Sequence, residues 1–420
     1  MRRVVAGLAT AAAVLAIFGV VAARRSPDPA DTRSGPAPAP ATSAGANGTG
    51  TSPAGPAAST PPRVPIDLRV PGFYVGVTHD QHSADDWGDP VATARARAVL
   101  YESTRLQNQH LMGWGTLNPE PSPGVYDWAS LDERMALIHH SGGTPVLTLC
   151  CAPDWMKGGR AGTTDWTRLE SAPRPQYYDD FARLAVRALQ RYPQVRYVQV
   201  WNELKGFYDP HRNRWAIADY TRFYNVVYRA IKQHDPTVQV GGPYVPMDSW
   251  SSARVASHPS QLRGPWGVLD QRALDAVDYW LAHKAGADFV TVDASTATRD
   301  RGVIAGPTAA AAKFTAVTAW LRARTSLPIW WAEWYAPVQR GVAWSTDREL
   351  AAFRAGLAAL AGSGARVALL WDGQGAPGVE RPWLWSTPGV AGGGRASPYV
   401  PVWKAYATGT MRARAWPGSR

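Results

Sequence analysis

Arg196-Tyr197-Val198-Gln199-Val200-Trp201-Asn202-Glu203 decides how this chain is read. It is a short apolar run with the length of a buried strand, and it delivers an amide and then a carboxyl at its exit. Pro328-Ile329-Trp330-Trp331-Ala332-Glu333 repeats the arrangement further on. Outward from these two, apolar runs of the same kind recur at Phe73–Val77, Leu106–Trp114, Pro145–Leu149, Val238–Gly241, Asp288–Val292 and Arg366–Trp371. The segments between them carry helical periodicity, as in Tyr177–Gln190, Ala216–His234, Leu274–Lys284, Ala309–Arg324 and Arg348–Ala361. Strands alternating with helices over this length predict an α/β fold, a parallel sheet closed into a (β/α)8 TIM barrel. An open doubly wound sheet would place a Gly-rich phosphate loop after its first strand, and Thr78-His79-Asp80-Gln81-His82 is not one.

The 420 residues are 45% hydrophobic and 18% charged, an ordinary globular composition. The net charge of +11 comes mostly from arginine. Beyond residue 25 these charges form no Lys/Arg run and no nucleic-acid motif, so they read as a dispersed, solvated surface without a nucleic-acid partner. Met1-Arg2-Arg3, the apolar stretch Val4–Ala23 and Arg24-Arg25 make residues 1–25 an export segment. It is either a cleaved signal peptide or a membrane anchor through residues 4–23. Residues 26–62, dominated by Pro, Ala, Gly, Ser and Thr, read as a disordered linker. Residues 63–420 are then the folded domain, held outside the cytoplasm, secreted or tethered.

Tryptophan is abundant, 20 residues in 420. Its flat apolar face and single N–H suit a sugar ring, which shows C–H groups on its faces and hydroxyls on its edge. On a barrel, Trp114 ends the second strand, Trp155 follows the third, Trp201 ends the fourth, Trp334 follows the seventh and Trp371 ends the eighth. That is the face on which barrel active sites are built, and an aromatic-lined groove is expected there. Glu203 and Glu333 leave strands on opposite sides of the same mouth. Cleavage of a glycosidic bond needs an acid for the departing oxygen and a base or nucleophile opposite it. Glu203 is assigned as acid/base and Glu333 as nucleophile, the charge on one raising the pKa of the other.

These residues resemble the retaining (β/α)8 glycoside hydrolases of clan A, and most of all glycoside hydrolase family 39. The clan carries Asn-Glu at the exit of its fourth strand and Glu at that of its seventh, matched by Asn202-Glu203 and Glu333. Pro121–Trp128 with Leu131-Asp132, Ala152–Met156, Gly241-Gly242-Pro243 and Trp371 match further family segments, so that residues 73 to about 406 are covered. The resemblance implies a β-xylosidase-like hydrolase of an oligo- or polysaccharide, working by double displacement. It implies that Asn202 bonds the sugar 2-hydroxyl and that Trp371 forms a sugar platform. Leu204 stands where the family has Pro. Val292-Asp293-Ala294-Ser295-Thr296 stands where the clan has His and a Tyr that touches the nucleophile; Tyr244 is a candidate to replace that Tyr.

The expected substrate-binding set is therefore Asn202, Trp114, Trp155, Trp334, Trp371 and Tyr244. His79, His82 and His110 lack a metal-ligand spacing, and neither a metal nor a cofactor is expected. Asp80, Asp154 and Asp293 near strand exits suit sugar hydroxyls and loop caps equally. Cys150 and Cys151, adjacent to each other, are either two buried thiols or a vicinal disulfide that kinks the third strand's exit. Two rival functions remain: a non-catalytic carbohydrate-binding barrel, and a transglycosylase using the same residues.

Overall fold

The computed structural model describes residues 63–407 apart from 86, 305, 338–345 and 376–381. The export segment 1–25, with its membrane tether at 4–23, and the linker 26–62 lie outside these residues. Among the described residues no helix is long and apolar enough to cross a membrane.

Eight parallel strands close into a barrel. They are β1 (Tyr74–Thr78), β2 (Leu106–His110), β3 (Thr144–Leu149), β4 (Tyr197–Val200), β5 (Gln239–Pro246), β6 (Phe289–Ser295), β7 (Ile329–Tyr335) and β8 (Val367–Trp371). They follow one another around the wall in chain order, and β8 closes on β1 with Tyr74 opposite Val367 and Thr78 opposite Trp371. The surrounding helices are α1 (Pro90–Ser103), α2 (Ala129–His140), α3 (Tyr178–Arg191), α4 (Ile217–His234), α5 (Gln271–His283), α6 (Pro307–Arg322), α7 (Thr346–Gly362) and α8 (Val400–Ala407). Strands covered on both faces are mostly apolar, which is why most of them read as unbroken runs; β2 is the exception, since Gln107, Asn108, Gln109 and His110 are polar and buried. The helices start where the local chemistry favours it. Asp89 accepts a bond from the Ala92 amide ahead of Pro90, and Asp270 does the same for Arg272 at the start of α5. Phe181, Leu184, Ala185, Ala188 and Leu189 give α3 one buried stripe.

β2 stops at His110, short of Trp114, because Gly113 and Trp114 both take positive φ (80° and 47°) in a turn closed by hydrogen bonds between Gly113 and Thr116. β5 and β6 run further than their apolar signals, to Pro246 and Ser295. Beyond β5, Ser249–Trp250, Pro259–Gly264 and Gly267–Asp270 form a small antiparallel sheet without a counterpart in the sequence reading.

The barrel interior is layered. Leu106, Val146, Tyr197, Phe289, Trp330, Val367 and Leu369 form an apolar floor, with the Phe289 and Trp330 rings stacked at 3.8 Å. A methyl group on Gly241 would come within 2.2 Å of the Phe289 ring, so that position has room only for glycine. One residue pair further along the strands the lining becomes polar. Asn108 donates to Thr78 at 3.1 Å, Thr148 to Asn108 at 2.9 Å and Gln199 to Thr148 at 3.1 Å. The carboxyl groups of the site lie at the next level, where the strands open.

Candidate active site

Two irregularities aim the site residues inward. In β7 the pairing with β6 skips Ala332, so that Trp331 is opposite Val292 and Glu333 is opposite Asp293. Strict alternation from the inward Trp330 would turn Glu333 out of the barrel; one inserted residue restores it to the interior. β5 skips Tyr244 in the same way, with Pro243 opposite Thr291 and Val245 opposite Val292. Tyr244 takes φ 58° and sends its hydroxyl to Glu333 Oε1 at 2.5 Å. At the exit of β4, Trp201, Glu203 and Leu204 take φ of 72°, 48° and 54°. These left-handed residues turn Trp201 into the packing outside the wall and let Asn202 and Glu203 face the mouth.

Glu203, Asp293 and Glu333 converge, each offering a carboxylate oxygen within 4.8 Å of the other two. Glu333 and Asp293 are buried and Glu203 is partly exposed. Lys205 lies against Glu203 Oε2 at 2.9 Å, against Glu170 Oε1 at 2.5 Å and over the Trp114 ring at 5.3 Å. Burial acts to raise the Glu203 pKa, but Lys205 and a hydrogen bond with Asp293 outweigh it, and the net direction is down. This corrects the expectation that a neighbouring negative charge keeps a proton on Glu203. Asp293 is instead the group pushed well above the carboxylate range, by burial first and then by Glu203, Glu333 and Asp248. Tyr244 is raised as well, by burial and by Glu333.

The predicted aromatic groove is smaller than its residue count suggested. Trp114 and Trp371 meet edge to face at 6.2 Å, and both are partly exposed. His110 joins them, 4.3 Å from Trp114 and 6.1 Å from Trp371. Trp334 is not at the mouth. It is fully buried outside the wall, stacked on Phe353 at 5.5 Å with Phe314 at its edge. Trp201 likewise packs among Phe181, Phe207 and Phe223. Trp155 is buried in the loop after β3, where its indole donates to the Glu120 carbonyl at 2.9 Å and its ring edge meets Tyr177, so it offers little surface to a ligand. Aromatic residues alternate with the site along these strands because the wall needs large apolar side chains on its outer face as well.

Asn202 is buried at the mouth with Oδ1 unpartnered, and both His110 ring nitrogens are unpartnered too. Buried polar atoms are rarely left so. The histidines do not gather. His79 bonds Ser83 and Gln107 at 2.9 Å each, while His82 stacks on Trp87. The three converging carboxyls are the group among the described residues that is close enough to hold a cation, but Lys205 already occupies Glu203 and Tyr244 occupies Glu333. Asp154 is engaged in a buried pair with Lys157 at 3.0 Å, and Asp80 accepts from the Gln81 amide. Cys150 and Cys151 form the vicinal disulfide, and Met112 pairs with the backbone of both.

The sequence alone does not single out Lys205, and it leaves Asp293 equally suited to a sugar hydroxyl and to a loop cap. The closeness of Lys205 to Glu203 in the chain was the available signal for the first.

No protein-family model and no curated protein sequence matches this chain. Solved structures do. A monomeric β-xylosidase from Caulobacter crescentus CB15 aligns with a TM-score of 0.53 at 19% identity, over 81% of this chain and 70% of the other. The chain has that fold. A GH39 enzyme from Xanthomonas axonopodis pv. citri aligns at 0.54 with 18% identity, over 84% and 69% of the two chains. A β-glucosidase from Exiguobacterium marinum aligns at 0.53 with 10% identity, over 81% and 98%. These likenesses concern the (β/α)8 barrel, on which the residues above are then arranged.

Proposed function

We propose that the protein is a retaining glycosidase, acting on β-linked, xylosidase-type sugars outside the cytoplasm. The observation that carries this reading is the approach of Glu203 and Glu333 across the mouth, one carboxylate oxygen of each lying within 4.8 Å of the other. Retaining enzymes hold their two carboxyls about 5–5.5 Å apart, whereas inversion needs about 6.5–9.5 Å to admit a water between them. In the first step Glu333 attacks the anomeric carbon while Glu203 protonates the departing oxygen. In the second, Glu203 takes a proton from the water that releases the sugar from Glu333. Tyr244 holds Glu333 in place from the β5 side. Trp114, Trp371, His110 and Asn202 supply a flat face and unpartnered polar atoms for the ring and its hydroxyls. The fold shared with β-xylosidase and β-glucosidase structures supports the same substrate class, and the export-like residues 1–25 support the location.

A panel of aryl β-glycosides tests the reading. Turnover of at least one, with the anomeric configuration retained in the first-formed product by NMR, is the expected result. Glu333→Gln is expected to remove turnover while binding persists. Binding without turnover by the wild type would favour the carbohydrate-binding barrel, and transfer to an added sugar in preference to water would favour the transglycosylase.

A further inference from the structure

We propose that Asp293 is a positioning residue of the acid/base, holding the proton that Glu203 delivers to the leaving group. The inference rests on the glycosidase reading and adds a third carboxyl to its pair. Asp293 lies at the inner face of β6, 4% exposed, within hydrogen-bonding reach of Glu203 and opposite Glu333 in the strand pairing. Its Oδ1 is buried with no partner. Three carboxylates so close together cannot all be ionised out of water, and one proton among them relieves the repulsion.

The surroundings decide which group keeps that proton. Glu203 has the Lys205 ammonium at 2.9 Å, which favours its ionised form. Glu333, on β7, accepts from Tyr244 of β5. Asp293 has no cation at ion-pair distance among the described residues. Lys313 of α6 acts on it from further away, with its ammonium bonded to the Ser295 and Ala297 carbonyls at 2.8 and 2.9 Å. Asp248, after β5, repels it, although Arg299 holds that carboxylate at 2.8 Å. Tyr335 on β7 is neutral, its hydroxyl pushed well above its usual range by burial and by the same carboxylates. Burial and like charge therefore converge on Asp293 as the protonated member.

The free enzyme then holds its proton one residue from where the chemistry needs it. When substrate enters, the leaving oxygen meets Glu203 in the place Lys205 faces. The proton moves from the Asp293 carboxyl to the Glu203 carboxylate, leaving Asp293 ionised. Glu203 passes it to the departing oxygen as Glu333 forms its bond to the anomeric carbon and the glycosidic bond breaks. In the second half, water gives its proton to Glu203 while its oxygen bonds the anomeric carbon, the bond from that carbon to Glu333 breaks and leaves Glu333 ionised, and the proton returns to Asp293. The cycle gains and loses no proton.

Asp293→Asn keeps the shape and removes the proton. A general acid is worth about a hundredfold or more, so the variant is expected to lose on that order with phenyl glycosides and no more than about threefold with dinitrophenyl glycosides, whose leaving group needs no proton. The basic limb of its pH profile is expected at lower pH than that of the wild type. Equal loss on both leaving groups, or an unchanged profile, would overturn the proposal. Glu203→Gln is the control: if it lacks the same leaving-group dependence, the assignment of the acid/base has failed. A readout independent of turnover is the infrared difference spectrum of wild type against Asp293→Asn at pH 7. A protonated-carboxyl band lost in the variant is expected, and its absence from the wild type would overturn the proposal even if no glycoside is hydrolysed.

Discussion

Tyr244 and Lys205 act on the two glutamates from opposite sides. The Tyr244 hydroxyl meets Glu333 at 2.5 Å inside a buried site, and hydrogen bonds to charged groups are worth about 1.5–3 kcal/mol. Tyr244→Phe is expected to lower kcat roughly 10- to 100-fold with little change in thermal stability, measured on the best aryl glycoside. Lys205 holds Glu203 low. Lys205→Met removes that cation and leaves burial as the dominant influence, so the Glu203 carboxyl is expected to rise. The measurable outcome is a basic limb of kcat/KM displaced to higher pH, and a displacement to lower pH would contradict the ion pair's role.

At the scale of elements, the inserted residues in β5 and β7 separate what faces the substrate from what faces the helices. Trp334 and Trp371 test this directly, since both are tryptophans at strand exits. Trp334 is fully buried against α7, where a methyl on Gly356 would already come within 2.9 Å of its ring. Trp334→Ala is expected to cost about 3–5 kcal/mol of stability with KM unchanged, read from denaturant unfolding and steady-state kinetics. Trp371 meets Trp114 at the open mouth. Trp371→Ala is expected to raise KM on the order of tenfold, the worth of one aromatic contact of about 1.5 kcal/mol, with stability little altered. The exchange of these two outcomes would place Trp334 at the site after all.

Across the whole molecule, local strain collects at one end of the barrel. His82, Ala84, Trp114, Trp201, Glu203, Leu204, Asn213 and Tyr244 have positive φ, and each lies at or beyond the C-terminal part of a strand. Such residues cost of order 1–3 kcal/mol each and persist only where the surrounding packing overrides them. The apolar floor and the outer aromatic wall supply that packing. Burial sets a pH response as well. It drives the pKa of His79 and of His110 to about 3 in the fold, helped by Arg134 and by Lys205 respectively, against 6.5 when unfolded. Below pH 6.5 the unfolded chain takes up protons that the folded one refuses, so stability is lost as pH falls from 6.5 towards 3, by about 1.4 kcal/mol per unit for each histidine. Asp293 acts in the other direction, because its raised pKa favours the fold at low pH. Comparing His79→Asn with the wild type isolates one histidine: the variant's unfolding free energy is expected to fall less steeply between pH 6.5 and 5.

The sequence by itself determined the barrel and the place of its two glutamates. Most of these buried parallel strands are apolar on both faces and announce themselves, β2 with its polar Gln107, Asn108 and Gln109 being the exception, and chain order in a (β/α)8 barrel is spatial order. Glu203 and Glu333 could thus be placed at the fourth and seventh exits from residues alone. Only the tertiary structure decided which way each side chain points and what it meets. One inserted residue reverses the face of everything after it, as at Ala332 and Tyr244, and no local preference marks the insertion. Trp334 was therefore legible as a tryptophan at a strand exit but not as part of the wall. The protonation order among Glu203, Asp293 and Glu333 was likewise beyond the sequence, because it depends on burial and on ångström separations between residues from β4, β6 and β7.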